Sequence, residues 1–188
     1  MKQKVFTLIE LLVVIGIIAV LATLVVLVLN PAQLFAQARD AQRVSDFATL
    51  QRAINFTLST ATLSSIGAGP NTTVATTTGC GWSSCSMTTV NTYTVAGSGW
   101  VGIDFTQAAG GSPLTKLPAD PTNAGSYHYE YKSNGSVSSP IYEIAARLES
   151  EKYRPMMTND GGSENTCGVT YLDATCWYEA GNDNADTL

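Results

Sequence analysis

Glu10 is the side chain whose position most needs a chemical reason. It follows Phe6-Thr7-Leu8-Ile9 and stands at the lip of a charge-free run from Leu11 to Leu29. A carboxylate carried to the centre of a bilayer costs about 2.5–3.5 kcal/mol on insertion scales, and less near the edge. An ordinary anchor gains nothing from that cost, so Glu10 reads as a functional residue. Four cysteines form a second set, Cys80, Cys85, Cys167 and Cys176. Three pairings are open to them; loop-closure entropy favours the two local ones, and their spacing matches no zinc site. Asp160, Glu164, Asp183 and Asp186 lie among Gly and Asn near the end of the chain. Oxygen-rich loops of that kind can hold calcium, although the spacing is not that of an EF-hand; a solvated acidic tail is the default. His128 is the single histidine and alternates with tyrosines beside Glu130, which reads as a surface position. No hydrolase, metalloprotease or phosphate-loop motif is present. No catalytic set and no cofactor are expected.

These residues must be positioned by a long helix and a head. As helix, Leu11 to Leu29 rises about 29 Å, the thickness of a bilayer's hydrocarbon core. Asn30-Pro31 interrupts the run, because proline lacks an N–H and crowds the preceding turn. Helical patterning then resumes through Phe35, Ala38, Ala41, Phe47, Leu50, Ile54 and Leu58, which predicts one helix from about Phe6 to Thr60, kinked at Pro31. Arg39, Asp40, Arg43, Asp46 and Arg52 fall largely off that stripe and read as a solvated face. Residues 61–99 are rich in Thr, Ser and Gly, with Cys80 and Cys85 in a tight loop. From about 90 the period changes to two. Thr92–Val95, Trp100–Phe105, Tyr127–Lys132, Ile141–Ala146, Val169–Leu172 and Cys176–Tyr178 read as strands. The fold class is α+β: a long N-terminal helix, membrane-spanning in its first half, packed on a small antiparallel sheet.

Composition narrows the partners. The chain of 188 residues carries a net charge of −5, and only 13% of its residues are charged. This speaks against a nucleic-acid interface, which would show a basic stripe. Lys2 and Lys4 precede the apolar run and no basic cluster follows it, which places the N-terminus in the cytoplasm and the rest outside. Disulfides suit that outer compartment. Asn55, Asn71 and Asn134 each begin an N-glycosylation pattern, a motif short enough to recur by chance.

The order Phe-Thr-Leu-Ile-Glu followed by LLVVIGIIAVLA resembles the N-terminal segment of type IV pilins and pseudopilins. The resemblance covers about the first 30 residues. It implies a basic leader, residues 1–5, removed between Val5 and Phe6 by a prepilin peptidase, then methylation of the Phe6 amine. Val5 stands where the family has Gly. The resemblance further implies a transmembrane and filament-core helix at 6–29, an amphipathic continuation at 30–60 and an extracytoplasmic head at 61–188. The head would hold the loop at 61–99, a sheet at about 90–178 and an acidic tail at 179–188. Glu10 would pair with the Phe6 amine of a neighbouring copy during helix bundling. The function so implied is that of a structural, non-enzymatic subunit of a pilus-like filament, with copies of itself, the peptidase, the assembly machinery and the membrane as partners. A pseudopilin of a secretion or DNA-uptake system, or an uncleaved membrane-anchored binding domain, shares the same N-terminus.

Overall fold

The computed structural model describes residues 6–73, 88–162, 165–168, 171, 175–183 and 188. The leader with Val5, the Cys80 and Cys85 loop, Glu164, Asp186 and most of the expected strand at 169–172 lie outside the described residues.

Two helices come first, α1 (Leu8–Leu29) and α2 (Pro31–Thr60). One residue separates them. Asn30 takes a left-handed conformation, φ 39° and ψ 76°, which Asn tolerates better than most side chains. Pro31 opens α2, where its missing N–H costs no helical hydrogen bond. The expected kink is thus a one-residue break at Asn30, after which the chain is helical again. α2 stops where the Ser59 and Thr60 hydroxyls turn back onto the Phe56 carbonyl, both at 2.8 Å, and compete with further helix.

The α2 stripe that meets the head is Ala36, Asp40, Arg43, Phe47, Leu50, Ala53, Ile54 and Thr57. Its second half matches the sequence expectation. Its first half does not: Phe35, Ala38 and Ala41 are exposed, and Asp40 and Arg43 are buried in their place. The stripe that actually packs is set by the head residues available opposite it, and two charges fit there because they find partners.

The sheet has five strands in the order β2-β1-β3-β4-β5. They are β1 (Asn71–Thr72), β2 (Thr88–Thr89), β3 (Glu130–Ser133), β4 (Tyr142–Ala146) and β5 (Tyr178–Gly181). The central pairs are antiparallel, with Tyr131 opposite Ile144 and Ile144 opposite Ala180. The edge pair β1 and β2 is parallel, so the sheet is mixed and not wholly antiparallel as expected. It also extends beyond the expected 90–178, drawing two strands from the Thr/Ser-rich region and the start of the acidic tail. Thr92–Val95 and Trp100–Phe105 are not strands. They form a compact loop whose backbone closes through Trp100 N–H to Thr92 O at 3.1 Å and Phe105 N–H to Val95 O at 2.8 Å.

Phe47, Leu50 and Ile54 of α2 pack on Tyr129, Tyr131, Tyr142 and Ile144 of the sheet, with Trp100, Ile103 and Phe105 closing the side. Phe47 meets Tyr129 edge-on at 5.1 Å and stacks on Tyr178 at 5.7 Å. Buried tyrosines need hydroxyl partners, and α2 supplies two of them. Tyr129 donates to Asp46 at 2.9 Å and Tyr142 to Asn55 at 3.0 Å. The path from α2 into the sheet requires Gly67 (φ 66°) to lie against Gly102; a Cβ on Gly67 would sit 2.6 Å from the Gly102 Cα.

The second face of the sheet was expected to be polar and solvated. It is buried: His128 and Glu130 are fully enclosed, as is Trp177. Alternation identified which side chains share a face; only the tertiary structure shows that both faces are covered.

Candidate assembly segment and head clamp

At the chain's beginning Thr7 adopts an extended conformation and caps α1. Its backbone N–H and hydroxyl both donate to one Glu10 carboxylate oxygen, at 2.9 and 2.8 Å. The Thr7 hydroxyl in turn accepts the Glu10 N–H at 3.3 Å. This reciprocal box satisfies two of the four N–H groups that a helix start leaves without intrahelical partners. Glu10 is therefore held against its own chain in the single molecule, beside a shallow groove that it lines with Phe6, Ile9, Val13 and Val14. Phe6 is 70% exposed. From Leu8 to Val26 the mean hydropathy is 3.0 and no residue is buried against the rest of the chain. So apolar a surface must be covered by lipid or by other helices.

About two to three turns into α2, at Arg39, Asp40 and Arg43, the head grips the helix through charge. Arg43 is fully buried and donates to Asp40 at 2.8 Å, to Asp120 at 2.6 and 2.9 Å and to Thr122 at 3.1 Å. It also lies 2.7 Å from Glu149. Arg39 grips the same Glu149 through its Nε at 3.0 and 3.1 Å and through Nη2. Asp40 accepts the backbone N–H groups of Glu149 and Ser150, at 2.9 and 2.7 Å, and the Ser150 hydroxyl at 2.6 Å. Two cations thus face three carboxylates, and backbone N–H groups stabilise the surplus negative charge. Residues 77 to 110 positions apart meet here. Burial works against the Arg43 charge, but Asp120 and Glu149 outweigh it and raise its pKa further above the usual range. Burial likewise works to raise the Glu149 carboxyl, and the hydrogen bonds from Arg39 and Arg43 overcome it and hold the pKa below normal.

That depression fixes a pH dependence. A carboxylate with a lowered folded pKa adds stability above its unfolded value, about 4.3, and loses it as pH falls through the folded value. Asp46 and Asp160 are pushed the other way by burial and partly offset the slope. The expected result is a melting temperature that drops below about pH 4.5, with a shallower drop in Glu149→Gln. Thermal unfolding of the detergent-solubilised chain across pH checks it, and parallel profiles for the two proteins would show that Glu149 does not carry the effect.

Cys167 and Cys176 form a disulfide, one of the two local pairs favoured from sequence. Asp160 and Asp183 line a cleft of about 460 Å³ together with Gln51 and Glu179. Asp160 is occupied by the N–H groups of Glu179 at 2.8 Å and Gly162 at 3.2 Å. Among the described residues, no three Asp, Glu, His or Cys side chains are placed to share a metal ion. His128 is no surface residue. Its ring nitrogens face Gly125 O at 2.9 Å and Glu130 Oε1 at 2.7 Å, and its ring meets Trp177 edge-on. The amides of all three glycosylation patterns are engaged: Asn55 by Tyr142, Asn71 with Trp100 O at 3.3 Å and Asn134 with Ser139 O at 2.7 Å.

The clamp was missed in the sequence, although a signal for it exists. Ala36, Asp40, Arg43, Phe47, Leu50, Ile54 and Thr57 follow one another at alternating spacings of four and three, the seam of a helix with one buried face. Reading only apolar residues hides that Asp40 and Arg43 stand in phase with it.

Comparison with curated proteins and with solved structures returned no match. A family model, the prokaryotic N-terminal methylation motif, matches residues 1–26. The capped Glu10, the unburied apolar helix and this match agree in place and in chemistry, and the chain carries the type IV pilin/prepilin signature at its N-terminus.

Proposed function

We propose that this chain is the precursor of a structural subunit in a type IV pilus-like filament. The observation that carries the reading is a single carboxylate, Glu10, at the start of an apolar helix that, from Leu8 to Val26, no described residue of its own chain buries. A prepilin peptidase cuts between Val5 and Phe6, and the new Phe6 amine is methylated. The apolar segment first holds the subunit in the inner membrane, with the head outside. Incoming subunits then exchange lipid for neighbouring α1 helices. Glu10 of one copy pairs with the Phe6 amine of another, so that two charges leaving water offset each other. A wrong register leaves both unpaired, and the pair therefore sets the axial stagger. Head-to-tail contacts of this kind do not close, and they generate an open helical filament. The reading requires no cofactor and no catalysis.

The test is the intact mass and first residue of the chain isolated from its native membrane or filament fraction. A start at methylated Phe6 is the expected result. A start at Met1 would mean that the amine partner of Glu10 never forms, and the uncleaved membrane-anchored domain would replace the filament subunit. Sheared surface fractions rich in the processed chain favour a pilin; processed chain confined to the envelope favours a pseudopilin.

A further inference from the structure

We propose that the base of the head is a membrane-contact surface, seated in the phospholipid headgroup layer on both sides of α2. The inference rests on the reading of α1 as a bilayer span. The head descends almost to the end of that span, because the Glu151 N–H donates to Gln33 Oε1 at 3.2 Å. Gln33 is three residues past the break at Asn30, which as helix is about 5 Å. On the flank of α2 turned away from the head, at the same level, Leu34 and Phe35 are 49% and 67% exposed. They come only five and six residues after Leu29, which as helix would be about 7–9 Å and is shortened along the span by any bend at Asn30; helical side chains lean back toward the N-terminus, here toward the lipid. The polar layer of one leaflet is about 5–8 Å thick. On the head side of the same level Lys152 is exposed, with its Nζ 5.3 Å from the centre of the Tyr153 ring. Exposed Phe35 and Leu34 with an exposed lysine on the other side of the helix are the composition that settles at a membrane interface. Among the described side chains the exposed large apolar ones run along α1 to Val26, and Leu34 and Phe35 are the next in sequence, which argues for the lipid around α1 as the occupant. In the membrane-held subunit, this contact keeps the head upright and Phe35 out of water until assembly lifts it away.

The full chain, reconstituted in phosphatidylcholine and phosphatidylglycerol vesicles, tests this with an indole introduced by Phe35→Trp or, independently, by Leu34→Trp. Arg52→Trp, more than four turns farther along α2, is the control. Emission of the parent chain is subtracted, since it holds three tryptophans. Lipid brominated at shallow acyl positions is expected to quench the indole of Phe35→Trp and Leu34→Trp at least about twofold more than that of Arg52→Trp, and more than deeply brominated lipid does. Equal quenching in all three would mean that the head lies on the bilayer non-specifically, and would overturn the proposal. No quenching at positions 34 and 35, in chain that still floats with the vesicles, would show that the head stands clear of lipid. The proposal then falls while the span survives. A blue-shifted, unquenched indole would assign this flank to a second copy instead, and also overturns it. Chain that fails to float removes the span reading itself.

Discussion

Glu10→Ala is expected to enter the membrane as the parent chain does and to form no filaments. Insertion is spared because the substitution removes the one charge at the edge of the apolar run, and an edge carboxylate opposes insertion if anything. The capping box is lost with it, at a cost of about 1 kcal/mol at the helix start, too little to unfold a helix of this length and hydropathy held in lipid. Assembly is lost because the Phe6 amine of the neighbour then enters an apolar bundle with no counter-charge. Breaking one partner of such a desolvated pair costs about 3–5 kcal/mol, a factor of more than a hundred at each added subunit. The structure makes a sharper version available. In the single subunit Glu10 accepts two hydrogen bonds from Thr7, so a loss of assembly in Glu10→Ala could be assigned to the cap. Glu10→Gln keeps an oxygen that accepts those bonds and discards only the charge. Both variants are expected to fractionate with membranes and to be missing from sheared filaments. Filaments from Glu10→Gln would assign the residue to capping; normal filaments from Glu10→Ala would sink the pairing altogether.

Arg43→Met is expected to cost the head about 3–5 kcal/mol of stability, the range found when one member of a buried ion pair is removed. Methionine fills similar length and keeps the packing, so the loss reports charge. Asp40 and Asp120 stay fully buried, while the cation that neutralised them is gone. For a domain whose total stability is typically about 5–15 kcal/mol, this is a large share. Asp120→Asn is expected to cost less, since Arg43 retains Asp40 and Glu149. Arg43→Lys is expected to fall between them, because an ammonium cannot reproduce the forked contact to Asp120. Urea unfolding of the detergent-solubilised chain, with the disulfide kept oxidised, orders the three. Equal midpoints for Arg43→Met and the parent would show that the clamp contributes nothing net. The clamp is also the joint between helix and head in the first half of α2, so weakening it is expected to loosen the head before the apolar helix α1.

The N-terminal third was legible because its information is local. The charge-free run, the break at Asn30-Pro31 and the Phe-Thr-Leu-Ile-Glu order all depend on neighbours in sequence, and so does the helix that follows. The alternation of Tyr129 and Tyr131 also marked the face turned to α2, although the strand expected at Tyr127–Lys132 runs only from Glu130 to Ser133. The four-and-three spacing sets Asp40 and Arg43 in phase with the buried seam, but the tertiary structure alone decided which counter-charges meet them. Arg43 meets Asp120 and Arg39 meets Glu149 across 77 and 110 residues; no periodicity encodes that encounter, and a charged residue becomes a core residue only once its counter-charge arrives. The same holds for His128 and Glu130, whose position on a polar face suggested solvent until the second face of the sheet proved to be covered. Strand identity in 92–105 was lost for a related reason. β-branched and aromatic residues fit a pleated sheet, but they fit a loop packed on Phe47 and Leu50 equally well, and burial settles the choice. The local sequence pattern determined the long apolar helix and its one anomalous carboxylate, and long-range charge pairing determined how the head is locked onto the helix that follows it.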